Sequence, residues 1–142
     1  MRLIQLVFVS SYVDDYGLDL PKFIERLVFE NDALPVRGMT LFANGNIIQL
    51  LEGDDSIVNG IFQKLPNDSK QFGVFELLNS PLVNYCLSET SIGYSAHEFK
   101  LTSGQSSKIS MFQLSQVEVD KRIIESPGKV LMMQFASDYG QT

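Results

Sequence analysis

Histidine and cysteine each occur once in the 142 residues, which removes the chemistry that needs either of them in company. With His97 alone, no Ser-His-Asp or Cys-His pair can be assembled. With Cys86 alone, an internal disulfide and a multi-cysteine zinc site are both excluded, and a packed thiol in mid-strand is expected in a reducing compartment. Glycines of the G-x-G-x-x-G or G-x-x-x-x-G-K kind, which cradle phosphates, are missing, as is any His, Cys and carboxylate spacing suited to a metal. Asp54 and Asp55 read as a helix N-terminus rather than a cation site. No apolar run approaches the ~20 residues of a membrane span, and the run from Leu3 to Val9 is broken by Gln5 and lacks a cleavage site, so a cytoplasmic protein is expected. Positive charge is scarce too. Eleven Lys and Arg against 17 Asp and Glu leave a net charge of −6, which argues against nucleic acid or an anionic membrane as partner.

What is present is ordinary for one globular domain, with 44% hydrophobic and 20% charged residues. The most informative stretch is GMTLFANGNIIQLLEG, Gly38 to Gly53. Asn44-Gly45 between two apolar runs predicts a type I′ hairpin, because both central positions need positive φ. Counting outward pairs Phe42 with Ile47, Thr40 with Gln49, Met39 with Leu50 and Arg37 with Glu52. Phe42, Ile47, Gln49 and Leu51 then share one face, and Met39, Leu41, Ile48 and Leu50 the other. Both faces are apolar, so these strands belong in mid-sheet with cover on both sides, and Gln49 is a buried amide in need of partners.

The rest follows in chain order. Leu3 to Ser10 predicts a central strand with Ile4, Leu6 and Phe8 on one face and Leu3, Val7 and Val9 on the other. Asp19 to about Asn31 has helical spacing, with Asn31 either capping the helix end or turning its amide inward. Asp54 and Asp55 open a second helix with Ile57, Val58, Ile61, Phe62 and Leu65 as its apolar set. Gly60 in its middle either permits the close approach of something flat or is tolerated. Phe72 to Leu78 and Val83 to Ser91 predict two more strands joined by a turn at Asn79, Ser80 and Pro81. The order βαββαββ indicates an α+β fold, a ferredoxin-like mixed sheet with both helices on one face. After a polar linker, Ser115 with Glu118 predicts a capped helix to about Glu125. Ser126-Pro127 starts another, running to Tyr139 with Gly140 as terminator, and the pair should cover the opposite face.

Asn31, Gly38 and the block NG-x-x-x-Q-x-LEG at Asn44 to Gly53 together resemble the BLUF domain, the flavin-binding blue-light sensor. The likeness runs from Leu3 to about Ser95 and includes Asp68 followed by Lys70, and Ser91-Ile92-Gly93-Tyr94 in place of the family's closing W-S-M-G-F. It implies a BLUF-like flavin-binding unit over residues 1–96, with residues 97–142 as linker and helical cap of the same globule. It further implies FAD or FMN held non-covalently between the two helices. Asn31 would bond the pyrimidine edge of the ring and Gln49 its N5 and O4, with Asp68 at the ribityl chain and Lys64 and Lys70 near the phosphates.

This sequence also departs from the family pattern. Phe8 stands at the family's tyrosine, Thr90 at its tryptophan, Ile92 at its methionine, and Arg37 at a usual threonine. Arg37 is expected instead to pair with Glu52, a contact worth roughly 0.2–1 kcal/mol. A phenyl ring has no hydroxyl proton to give and is harder to oxidise than a phenol. Two functions are therefore expected as alternatives. One is a flavin-binding regulatory module, not an enzyme, that acts through a protein partner or self-association with the tyrosine-dependent photocycle impaired or absent. The other is a flavin-free interaction module whose helix cleft is filled by side chains such as Phe8 and Phe62.

Overall fold

The structure, a computed structural model, describes residues 2–11, 36–64, 72–95 and 110–140. Among them are strands β1 (Leu3–Ser11), β2 (Arg37–Ala43), β3 (Asn46–Asp54), β4 (Phe72–Pro81), β5 (Ser91–Tyr94) and β6 (Ser110–Gln113). Helices are α1 (Asp55–Lys64), α2 (Gln116–Asp120) and α3 (Pro127–Tyr139). The predicted helix from Asp19 to Asn31 lies outside the described residues.

The strands form one mixed sheet of six in the order β4-β1-β3-β2-β5-β6, so β1 is internal as expected. Neighbours from β4 to β2 run antiparallel, whereas β2–β5 and β5–β6 are parallel. The hairpin register matches the sequence expectation from Arg37↔Glu52 to Ala43↔Asn46. Its cause is visible in the turn, where Asn44 has φ 52° and Gly45 φ 80°.

Alternation then divides the core in two. Ile4, Leu6, Phe8 and Leu51 pack with Val58, Ile57, Ile61 and Phe62 of α1 on one side of the sheet. Val7, Met39, Leu41, Ile48 and Leu50 pack on the other with Val119 of α2, Ile123, and Met132, Phe135 and Ala136 of α3. The cover from the C-terminal helices is thus the one the apolar pattern called for. Ser126 caps α3 by accepting from Lys129 N at 3.2 Å, with Pro127 in the first turn.

Three expectations are corrected. The strand expected over Val83 to Ser91 starts only at Ser91, as β5, and residues 82–90 form a loop. β4 continues through Asn79, Ser80 and Pro81, which pair with Leu6, Gln5 and Ile4, so no turn forms there. Residues 82–90 find other backbone partners: Cys86 N and Leu87 N donate to the Glu52 carboxylate, and Cys86 O accepts from Ile124 N. Val83 is 93% exposed, so its place in an apolar alternation had no burial behind it. Second, the helix opened by Ser115 stops at Asp120, because the following chain is drawn to this loop through the Leu87↔Ile123 bridge. Ser115 does cap it, accepting from Glu118 N at 3.1 Å, but the Glu118 carboxylate turns to Arg122 at 2.7 Å. Third, β6 adds a sixth strand that four residues of sequence were too short to announce.

Gly60 lies inside α1, and a Cβ built on it meets nothing within 4 Å. Gly60→Ala is therefore expected to raise stability by about 0.5–1 kcal/mol through helix propensity, seen as a higher denaturation midpoint in urea. An unchanged or lower midpoint would show that this position is approached by something a methyl group displaces.

Candidate functional site

The hairpin and β1 set one row of side chains across the middle of the sheet. Phe8 pairs with Gln49, Gln49 with Thr40, and Thr40 with Ile92. All four are buried, with Gln49 3% exposed. They belong to the face that carries α1, whose Phe62 ring meets the Phe8 ring edge-on at 5.2 Å between centroids and 61° between planes. Gln49 donates from Nε2 to Thr40 Oγ1 at 3.4 Å. An apolar floor with one carboxamide in it suits the edge of a planar heterocycle, to which an amide can both donate and accept.

Of the six residues expected at a cofactor site, the structure brings Phe8 and Gln49 together as cross-strand partners. Asn31, Asp68 and Lys70 lie outside the described residues, and Lys64 closes α1 at the boundary of the described segment. Ile92 completes the row, while Thr90 sits beyond its end, where its hydroxyl accepts from Gly38 N at 3.2 Å. Among the described residues no group of His, Cys, Asp and Glu could hold a metal ion. None of the four side chains of the row is an acid or a base near neutrality, and its polar groups are the neutral amide of Gln49 and hydroxyl of Thr40, which bind and orient through hydrogen bonds.

The other face of the same two strands holds a polar pair that sequence reasoning missed. Gln5 and Glu52 are register partners and both are 0% exposed. The Glu52 carboxylate accepts from Gln5 Nε2 at 3.1 Å, Cys86 N at 3.0 Å and Leu87 N at 2.9 Å. Gln5 Nε2 also donates to Ser126 Oγ at 3.1 Å, and its Oε1 accepts from Gly128 N at 2.8 Å in the first turn of α3. Gly128 is needed there, because a Cβ would fall 2.5 Å from Gln5 Cδ. The expected Arg37–Glu52 pair therefore survives as register but not as an ion pair. Arg37 donates to Leu87 O at 2.8 Å and lies over the Tyr85 ring at 4.3 Å. The missed signal was the alternation itself, which places Gln5 and Glu52 inward on the face of Leu50 and Val7.

Cys86 lies in the 82–90 loop rather than mid-strand, but it is buried in the core as a packed thiol. Burial, and after it the neighbouring Glu52 charge, push the thiol above its ordinary value of 9.0, which keeps it protonated and unreactive near neutrality.

A family profile described as sensors of blue light using FAD matches residues 3–89. No curated protein matches. Among solved structures, BlrP1 of Klebsiella pneumoniae with FMN and cyclic diGMP superposes with a TM-score of 0.71 and 18% identity over 96% of this chain and 35% of that one. BlrP1 BLUF gives 0.66 and 18% over 96% and 88% of the two chains, and photo-activated BlsA gives 0.59 and 15% over 99% and 98%. At these identities the likeness establishes the fold. This chain spans about a third of the length of the BlrP1 chain solved with FMN and cyclic diGMP.

The Gln5–Glu52 pair makes a demand that can be measured. Glu52→Ala leaves two buried backbone N–H groups and the Gln5 amide short of an acceptor, each at about 1–3 kcal/mol, so a loss on the order of 3 kcal/mol or more is expected in urea unfolding. A loss under about 1 kcal/mol would mean that these donors find other acceptors or water.

Proposed function

The chain belongs to the BLUF family, sensors of blue light using FAD, and on that footing we propose that it is a flavin-binding regulatory module whose tyrosine-dependent light reaction is lost at Phe8. The observation that carries this reading is the buried Gln49 carboxamide on the α1 face, set directly beside Phe8. Gln49 would bond the N5 and O4 edge of the ring, Asn31 the pyrimidine edge, Asp68 the ribityl chain, and Lys64 and Lys70 the phosphates as point charges. The flavin is FAD or FMN, held without a covalent bond, and when bound it supplies the light absorption and the electron acceptor.

The chain's own part is to orient that edge and exclude water from it. Phe8 fills the flank of Gln49 with a ring that has no proton to give, so the row contributes geometry without the electron and proton donor that a tyrosine would add. Output runs through a protein partner or a second copy, as expected of a sensory module rather than an enzyme, and we place it in the cytoplasm. One observation favours the flavin-free alternative: Phe62 already packs against Phe8, so apolar side chains on this face satisfy one another.

The purified protein distinguishes the two. It is expected to be yellow with flavin absorption bands, and to stay colourless after added FAD or FMN if the flavin-free reading holds. Under blue light the bands are expected to show no persistent red shift, whereas Phe8→Tyr restores one. A stable shift of several nanometres in the unaltered protein would contradict the loss assigned to Phe8.

A further inference from the structure

We propose that Thr40 is the positioning residue for Gln49, its hydroxyl setting which end of the carboxamide faces β2 and which is turned away from it. Within the row, Gln49 has two cross-strand neighbours, Phe8 on β1 and Thr40 on β2. The first has no polar side-chain atom, and the second brings a hydroxyl within 3.4 Å of Nε2. Beyond Thr40 comes Ile92, which is apolar again. The carboxamide and the hydroxyl are thus a polar pair between two hydrocarbon neighbours, both almost without solvent exposure.

Register makes the pairing robust. Counted from the two-residue turn, positions 40 and 49 form a pair whose backbones do not bond one another, the kind that brings side chains closest. Threonine is stiff at χ1 in a strand, so its hydroxyl is held in place at little entropic cost. With Nε2 donating to Thr40, the planarity of the amide turns its oxygen end away from Thr40. A hydroxyl can also donate, so the same residue can hold the amide after a flip, which valine of the same shape cannot do. The hydroxyl that Phe8 does not supply on one flank is supplied by Thr40 on the other. The consequence for a bound ring rests on the flavin reading proposed above; the hydrogen bond itself does not.

The test is nuclear magnetic resonance of the full chain with ¹⁵N-labelled glutamine, comparing Thr40→Val and Thr40→Ser with the unaltered protein. Thr40→Val is expected to shift the Gln49 side-chain NH₂ signals and speed their exchange with water several-fold. Thr40→Ser is expected to keep both near the original values, and Gln5, on the opposite face, to stay unchanged in both variants. After FAD is added, the flavin bands should move in Thr40→Val and not in Thr40→Ser. Gln49 signals that superimpose in Thr40→Val and the unaltered protein would overturn the role. Should Thr40→Val fail to fold, the unaltered protein decides: nuclear Overhauser contacts between the Gln49 NH₂ protons and the Thr40 methyl are expected, and their absence overturns it. Failure to bind FAD with the Gln49 effects intact would sink the flavin reading and leave the hydrogen bond standing.

Discussion

Everything distinctive about this protein depends on the register that the Asn44-Gly45 turn imposes on β2 and β3. Positive φ at both turn residues matches the right-handed twist of the strands and leaves one way to pair them. A slip by a single residue would turn Gln49 to the C-terminal helices and Glu52 to α1, exchanging the polar groups of the two faces. The register therefore fixes more than a fold. It decides that one amide meets Phe8 and Thr40, and that one carboxylate meets Gln5 and the 82–90 loop.

The two faces of β1 and β3 are used differently. On the α1 face the row is mostly hydrocarbon, with Gln49 donating to Thr40 at 3.4 Å. On the other face Gln5 and Glu52 bond each other and accept from the backbone of two segments, Cys86 and Leu87 of the 82–90 loop and Gly128 of α3, which fastens both to the sheet. Charge-assisted bonds of this kind, buried from water, resist rearrangement far more than the neutral contact at Thr40. The Gln5–Glu52 cluster is thus a rigid support on the same pair of strands that carries the Gln49 row. The apolar cover of α3 completes that support.

Legibility in the sequence followed how strongly local chemistry constrained the chain. The hairpin, both strand faces, α1 and the Ser126-Pro127 start of α3 were readable because turn residues, period and caps all agreed there. The 82–90 segment was not, since Val83, Tyr85 and Leu87 imitate a strand while the backbone N–H groups of Cys86 and Leu87 are claimed by Glu52, an interaction between residues far apart in the chain. The end of α2 at Asp120 failed for a related reason, as Ile123 and Ile124 are held by that same loop. β6 is four residues long and owes its existence to β5 alongside it. In the row of the candidate site, the burial of Gln49 and its pairing with Thr40 were legible from the hairpin count, but the hydrogen bond between them became visible only once the hydroxyl was seen beside the amide.

The most direct test of the account is a crystal structure of the chain grown with FAD. It should show the flavin ring on the α1 face with its edge within hydrogen-bond distance of the Gln49 carboxamide, and Phe8 against the same side chain. A structure in which Gln49 touches protein atoms alone and the flavin is bound elsewhere, or not at all, would contradict it.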